Sequence, residues 1–258
     1  SARVYFDKAL LHWQALVHSS DKVIAKKAKF GIAASLGNIG NIYLQLSDYH
    51  KALDYMLKSL KIKEELGNKQ NISVSLGNIG NIYVQLSDYP KALDYHLRAL
   101  KIDEAIGDNR GIAADYGNIG LVYQDLSDYP KALDFQLKSM KIYEEIGDKQ
   151  GVANTQNNIG NIYKNIADSA CITLGITPAE RYHKALEYSL KSLKIYSEIG
   201  DKRGIAGVLS NIGVMYARLS DHAQAIEYQL KSLKIEEEIG DKYGIAISYG
   251  NIGNIYFM

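Results

Sequence analysis

Eight residues, Leu36-Gly37-Asn38-Ile39-Gly40-Asn41-Ile42-Tyr43, return unchanged at Leu76 to Tyr83 and in looser form from Tyr116, Gln156, Leu209 and Tyr249. The first four copies start 40 residues apart, as do the last two; the gap between 156 and 209 is 53, one period plus 13. A fixed period of this length means that each unit is one supersecondary element, too small to bury its own apolar face. Neighbouring units must then stack into a solenoid.

Within the period, a first helix is expected from about Gly31 to Leu46, then a Ser47-Asp48-Tyr49 turn, then a second helix from about His50 to Leu66. The second helix carries Ala52, Tyr55, Leu57, Leu60 and Ile62 as apolar positions. Gly67, Gly107, Gly147, Gly200 and Gly240 stand where a helix end accepts positive φ. Asp108, Asp148, Asp201 and Asp241 follow, suited to accept orphan N–H bonds of the next helix. Pro90 and Pro130 fall in first turns, and Thr177-Pro178-Ala179-Glu180 has the form of a capping box. The units are expected at 31–70, 71–110, 111–150, 151–203 and 204–243, with the first helix of a further unit at 244–258. Residues 1–30 read as the second helix of a divergent partial unit, with Trp13 and Leu16 facing inward. The extra 13 residues, about 169–181, fall at the turn of the fourth unit, as a short ordered excursion before an early helix start near Pro178. A chain that opens on a second helix and closes inside a first one reads as a piece of a longer protein. Its two ends are expected to expose apolar faces and to associate end to end.

The recurring small and aromatic residues carry a family likeness. Gly40, Tyr43 and Ala52 are matched by Gly80, Tyr83 and Ala92, by Gly120, Tyr123 and Ala132, by Gly160, Tyr163 and Ala185, and by Gly213, Tyr216 and Ala225. This pattern resembles the tetratricopeptide repeat over nearly the whole chain. The 40-residue unit with its Leu-Gly-Asn-Ile-Gly-Asn core is similar to the variety seen in polarity adaptors of the LGN/Pins type and in bacterial signalling proteins. The resemblance implies an all-α fold, an α-α superhelix of about five full helix-turn-helix repeats with a partial unit at each end. It also implies that the first helices line a concave, peptide-holding groove.

On a wheel of about 100° per residue the first helix divides in two. Ile39, Gly40 and Tyr43 fall on an apolar arc, and Gly37, Asn38, Asn41 and Gln45 on a small, polar one. The polar arc keeps one asparagine in every unit: Asn38, Asn78, Asn118, Asn158, Asn211 and Asn251. A second recurs one turn on at Asn41, Asn81, Asn161 and Asn254, with Leu121 and Val214 in its place elsewhere. Asparagine is a poor helix-interior residue, so propensity does not explain a ladder of them. Its amide both donates and accepts, which suits an extended peptide backbone, and Gly37, Gly77, Gly117 and Gly250 would let a ligand approach. The first asparagine of each unit reads equally as an inter-helix brace, and both roles are compatible; loss of the second in two units favours ligand contact. Gln45, Gln85, Asp125, Asn165 and Arg218 vary beside the ladder and are the expected specificity positions. A glycine or small polar residue stands where a carboxylate clamp of the family would begin, which argues against that mode.

Other chemistries are not supported. The formal net charge of +1 offers no basic stripe for nucleic acid and no polybasic signal for a membrane surface. One cysteine, Cys171, fits a reducing, cytoplasmic setting. No apolar run approaches bilayer length. The histidines show no metal-ligand spacing and read as surface residues, and the glutamates around Glu64, Glu144 and Glu236 read as solvated faces. The Gly-x-x-Gly pairs sit mid-helix and are not phosphate loops. No catalytic residue, cofactor or metal is expected. The leading reading is a protein-interaction module that binds a protein or peptide segment. The alternatives are a sensory or regulatory domain controlling an attached cyclase or kinase, and a self-associating scaffold.

Overall fold

The computed structural model describes residues 2–257, and every regular element among them is an α-helix. The helices fall into two compact units, one up to Val122 and one from Tyr123. The first holds α1 (Ala2–Leu16), α2 (Lys22–Gln45), α3 (Tyr49–Leu66), α4 (Lys69–Gln85), α5 (Tyr89–Ile106) and most of α6 (Asn109–Asp125). The second holds the end of α6, then α7 (Tyr129–Glu145), α8 (Lys149–Asn165), α9 (Asp168–Thr173), α10 (Pro178–Ile199), α11 (Lys202–Arg218), α12 (His222–Ile239) and α13 (Lys242–Phe257). Consecutive helices pack as hairpins, α2 on α3 and α4 on α5 in the first unit, α8 on α10 and α11 on α12 in the second.

Each hairpin closes on a glycine. Gly40 faces Met56, Gly80 faces His96, Gly160 faces Ser189 and Gly213 faces Gln229; a Cβ added there would stand 3.1, 2.7, 2.7 and 2.7 Å from those side chains. The absence of side chains is what lets the two backbones approach. Three residues on, the aromatic stacks across the hairpin: Tyr43 on Tyr55 at 5.5 Å, Tyr83 on Tyr95 at 5.3 Å, Tyr163 on Tyr188 at 6.0 Å and Tyr216 on Tyr228 at 5.4 Å. Between them Ile39, Ile79, Ile159 and Ile212 are wholly buried, with Ala52, Ala92, Ala185 and Ala225 opposite. The i, i+3 spacing of glycine and tyrosine is therefore one helical turn of hairpin contact.

The turns repeat as faithfully. Ser47, Ser87, Ser127 and Ser220 take left-handed φ of 57°, 57°, 60° and 62°. The aspartate that follows caps the second helix: Asp48, Asp88 and Asp128 accept the backbone N–H of Lys51, Lys91 and Lys131. The same lysines return their Nζ to the cap carboxylate at 2.6 to 2.7 Å, and that hydrogen bond holds Asp48, Asp88 and Asp128 below the usual carboxylate range. Gly67, Gly107, Gly147, Gly200 and Gly240 are all left-handed at φ 70° to 73°. Asp108, Asp148, Asp201 and Asp241 accept the N–H three residues on. Both arms of the Thr177–Glu180 capping box are made, and α10 starts at Pro178 after the six-residue α9.

Successive hairpins meet at a second glycine, which sequence inspection passed over. A Cβ on Gly111 would collide with Asp103, one on Gly151 with Tyr143, one on Gly204 with Tyr196 and one on Gly244 with Glu236. The residue that fills this junction varies, and so does its partner twelve residues on. Lys63 donates to Ser75 Oγ at 2.6 Å. Asp103 shares a hydrogen bond with Asp115. Glu236 accepts from Ser248 Oγ at 2.8 Å.

Four expectations are corrected. The helix through Gly31 begins nine residues earlier, at Lys22, because Asp21 accepts the N–H groups of Val23 and Ile24 and no breaker intervenes. Leu16 is exposed; Phe6 and Leu10 supply the inward contacts of α1, while Trp13 lies against Gly31. Glu236 is buried, not solvated, because it is a junction residue bonded to Ser232 and Ser248. His96 is likewise no surface residue. It is fully buried at the hairpin glycine, and neither ring nitrogen has a partner.

Burial pushes the His96 pKa down to about 4. Because the folded value lies below the unfolded one, the contribution of neutral His96 is complete above about pH 6.5 and is lost as pH falls toward 4. His96→Met installs the residue found at the equivalent Met56. It is expected to add about 1 kcal/mol, roughly 3 °C in Tm, at pH 7 and to remove this acid-sensitive step. Melts at pH 7 and pH 4.5 check it: an unchanged acid sensitivity in the variant would place the titrating group elsewhere.

Candidate peptide-binding face

In the first unit, Asn38 and Asn41 on α2 and Asn78 on α4 line one cavity of about 200 Å³, with Gly37 and Ala34 between them and Lys63 at its side. Asn81, Gln45 and Gln85 are exposed on the same first helices. Asn38, Asn41, Asn78 and Asn81 make no hydrogen bond within the described residues, so their amides are free to donate and accept. Asn118, on α6, is half-buried. Gly37 and Gly77 differ from the hairpin glycines: an added Cβ would meet its nearest neighbour at an ordinary 3.5 and 3.9 Å.

The second unit divides its asparagines into bonded and unbonded ones. Asn211 accepts from Lys164 Nζ at 2.7 Å and donates to Asn157 Oδ1 at 3.3 Å. Asn251 donates to Ser210 Oγ at 3.3 Å and to Gln229 Oε1 at 3.4 Å. These two brace neighbouring helices, the reading left open from sequence. Asn158 and Asn161 on α8 are half-buried and Asn254 on α13 is exposed, and none of the three bonds to a described residue. Val214, half-buried, replaces the second asparagine of α11.

Lys164, Asn165 and Arg218 meet at a second opening of about 410 Å³, walled by the ends of α8 and α11 and by the inserted segment. Asp168, at the start of α9, and Arg181, at the end of the insertion, are joined at 2.8 Å. Arg181 also donates to Tyr182 Oη at 2.8 Å and lies over that ring. It is 8% exposed, and its Nε has no partner. Sequence reasoning named Asn165 and Arg218 but not Arg181. The one available signal was an arginine in the capped first turn of an inserted helix. Asp125 lies exposed at the end of α6. Cys171, within the insertion, is buried in one apolar cluster with Ile162 and Ile166. Among the described residues no cluster of three metal-ligating side chains is present, and no helix is long and apolar enough to cross a membrane.

The hairpin with its glycine, stacked tyrosine and opposing alanine is one structural unit repeated in register. A family model described as tetratricopeptide repeat matches residues 31–105, 112–169, 177–238 and 204–258. The chain belongs to the tetratricopeptide repeat family. No curated protein matches the sequence. Among solved structures, BtubC (BKLC) from P. vanneervenii is similar at 15% identity and a TM-score of 0.69, over 92% of each chain. The signal-transduction ATPase of the STAND class from Pyrococcus horikoshii, described as having a tetratricopeptide repeat sensor, aligns at 18% identity and TM-score 0.67, over 91% of this chain and 35% of that one. The Rap conjugation gene regulator of plasmid pLS20, in complex with the Phr* peptide, aligns at 12% identity and TM-score 0.70, over 89% of this chain and 59% of that one. This repeat array therefore spans about a third and about three-fifths of the latter two. At these identities the likeness is one of fold.

Proposed function

We propose that this array is a non-enzymatic protein-interaction module whose first helices hold an extended peptide or partner segment. The observation that carries the reading is the second asparagine series. Asn41, Asn81, Asn161 and Asn254 recur at one helical position, stand at or near the surface, and bond to nothing in the described protein. A polar residue that lowers helix propensity and braces nothing is best accounted for by an external partner. The binding residues of this reading are these four with Asn38, Asn78, Asn118 and Asn158. Asn211 and Asn251 contribute through their positions, and Gln45, Gln85, Asp125, Asn165 and Arg218 set specificity.

A regulatory role, in which the bound segment alters an attached effector, is the second reading. It is favoured by two fold neighbours, one described with a tetratricopeptide repeat sensor and one bound to a peptide. The test is selection of binders from a displayed random dodecapeptide library, followed by titration of the best one. Asn81→Ala and Asn161→Ala together are expected to weaken it at least tenfold, about 1.4 kcal/mol, with the helical circular-dichroism spectrum unchanged. Unchanged affinity in a folded variant sinks the reading.

A further inference from the structure

The opening between α8, α11 and the insertion carries charge that the chain itself does not neutralise. Three cations border it, Lys164, Arg181 and Arg218, against one carboxylate, Asp168. Arg218 is exposed and pairs with no described carboxylate. Lys164 is bonded only to the neutral amide of Asn211, and burial lowers its pKa. Arg181 is nine-tenths buried and spends one nitrogen on Asp168, yet its Nε has no acceptor. A buried guanidinium with an unpaired N–H is destabilising unless something supplies an oxygen. The remaining wall is neutral, formed by Asn165, Ile166, Ala167, Tyr182 and Val214.

We infer that this opening is an anion subsite that takes a carboxylate of an acidic peptide segment. Two features favour a peptide carboxylate. Asp168, 73% exposed, already shows a carboxylate within 2.8 Å of the Arg181 guanidinium, an ion whose planar fork suits carboxylates. The subsite also adjoins the asparagine face through the Lys164–Asn211 bond, so a segment lying along the first helices reaches it without leaving the surface. The insertion is thereby a specificity element: it places Arg181 where the uninterrupted repeats have no cation. This inference rests on the peptide-binding reading, which it deepens by naming the ligand charge.

The test follows the arginine Nε–H signals of the ¹⁵N-labelled chain by NMR. The probes are acetyl-Asp-Glu-Asp-Glu-amide, its neutral counterpart acetyl-Asn-Gln-Asn-Gln-amide, and inorganic phosphate. The acidic peptide is expected to shift the Arg181 and Arg218 signals saturably, and the neutral one not at all. Arg218→Ala, at an exposed position, is expected to weaken the acidic peptide about tenfold, Arg218→Lys to restore part of it, and raised salt to weaken it further. Equal shifts with both peptides, no saturable shift, or saturation by phosphate alone each overturn the inference. The parent reading is separable. If dodecapeptide binding is lost in the Asn81 and Asn161 variants but indifferent to Arg218→Ala, the ladder stands and the subsite falls. The reverse pattern keeps the subsite and sinks the ladder.

Discussion

Replacing Gly160 by leucine should destabilise the second unit by about 3 kcal/mol, near the upper end for overpacking a core. Even a methyl at this position would stand 2.7 Å from Ser189 Oγ and 3.1 Å from the carbonyl oxygen of Ala185. The serine can rotate. The carbonyl belongs to α10 and can yield only if the helix moves, which unstacks Tyr163 from Tyr188 and opens the layer around Ile159. Gly207, mid-way along α11, is the internal control, because nothing lies within 4 Å of its added Cβ. Gly207→Ala should therefore stabilise by about 0.5–1 kcal/mol through helix propensity alone. Urea titrations of the two variants should move in opposite directions; a shared direction would refute the packing assigned to Gly160.

Asp115→Asn should stabilise the first unit by roughly 2–4 kcal/mol at pH 7. Burial, then the neighbouring Asp103 charge, raise the Asp115 pKa to about 8, and Asp103 is itself raised by burial. With the folded value above the unfolded one, the favourable contribution is complete below about pH 4. It is lost as pH rises toward 8, because the folded protein must hold a proton that the unfolded chain releases. Asparagine keeps the shape and a donor for Asp103 without that demand. Wild-type stability should fall between pH 4 and pH 8 by more than that of the variant, in denaturant titrations across the range. Parallel profiles would show that the pair is ionised and hydrated instead.

The hairpin was legible because it repeats: glycine, aromatic and alanine at constant spacing leave one arrangement of two helices. The caps were legible for the same reason, since glycine and aspartate have few other uses at such positions. What escaped were residues whose role depends on a neighbour far along the chain. His96 and Glu236 looked like surface residues because their types are normally exposed, and only the facing glycines Gly80 and Gly244 put them inside. Asp103 and Asp115 are unremarkable twelve residues apart until the junction joins them. On the proposed binding face, position in the repeat identified the asparagines but could not tell the free ones from the braces. Asn211 and Asn251 occupy the register of Asn38 and Asn78, yet their bonds come from Lys164, from Gln229, and from Asn157 and Ser210, which stand in the motif where Gly37 and Gly77 have no side chain to offer.

The junction residues also bear on how such an array can gain or lose copies. Hairpins with near-identical cores are interchangeable, so an in-frame duplication or deletion of 40 residues leaves every hairpin whole. The seams are not interchangeable: Lys63 meets Ser75, Asp103 meets Asp115 and Glu236 meets Ser248. Losing residues 71–110 would bring Lys63 onto Asp115, an ion pair in place of a carboxyl pair. Duplicating the same stretch would set a second Asp103 against Ser75. Each seam thus acts as an address: setting a hairpin beside a new neighbour changes the charges and hydrogen bonds that meet there, so a change in copy number alters stability as well as length.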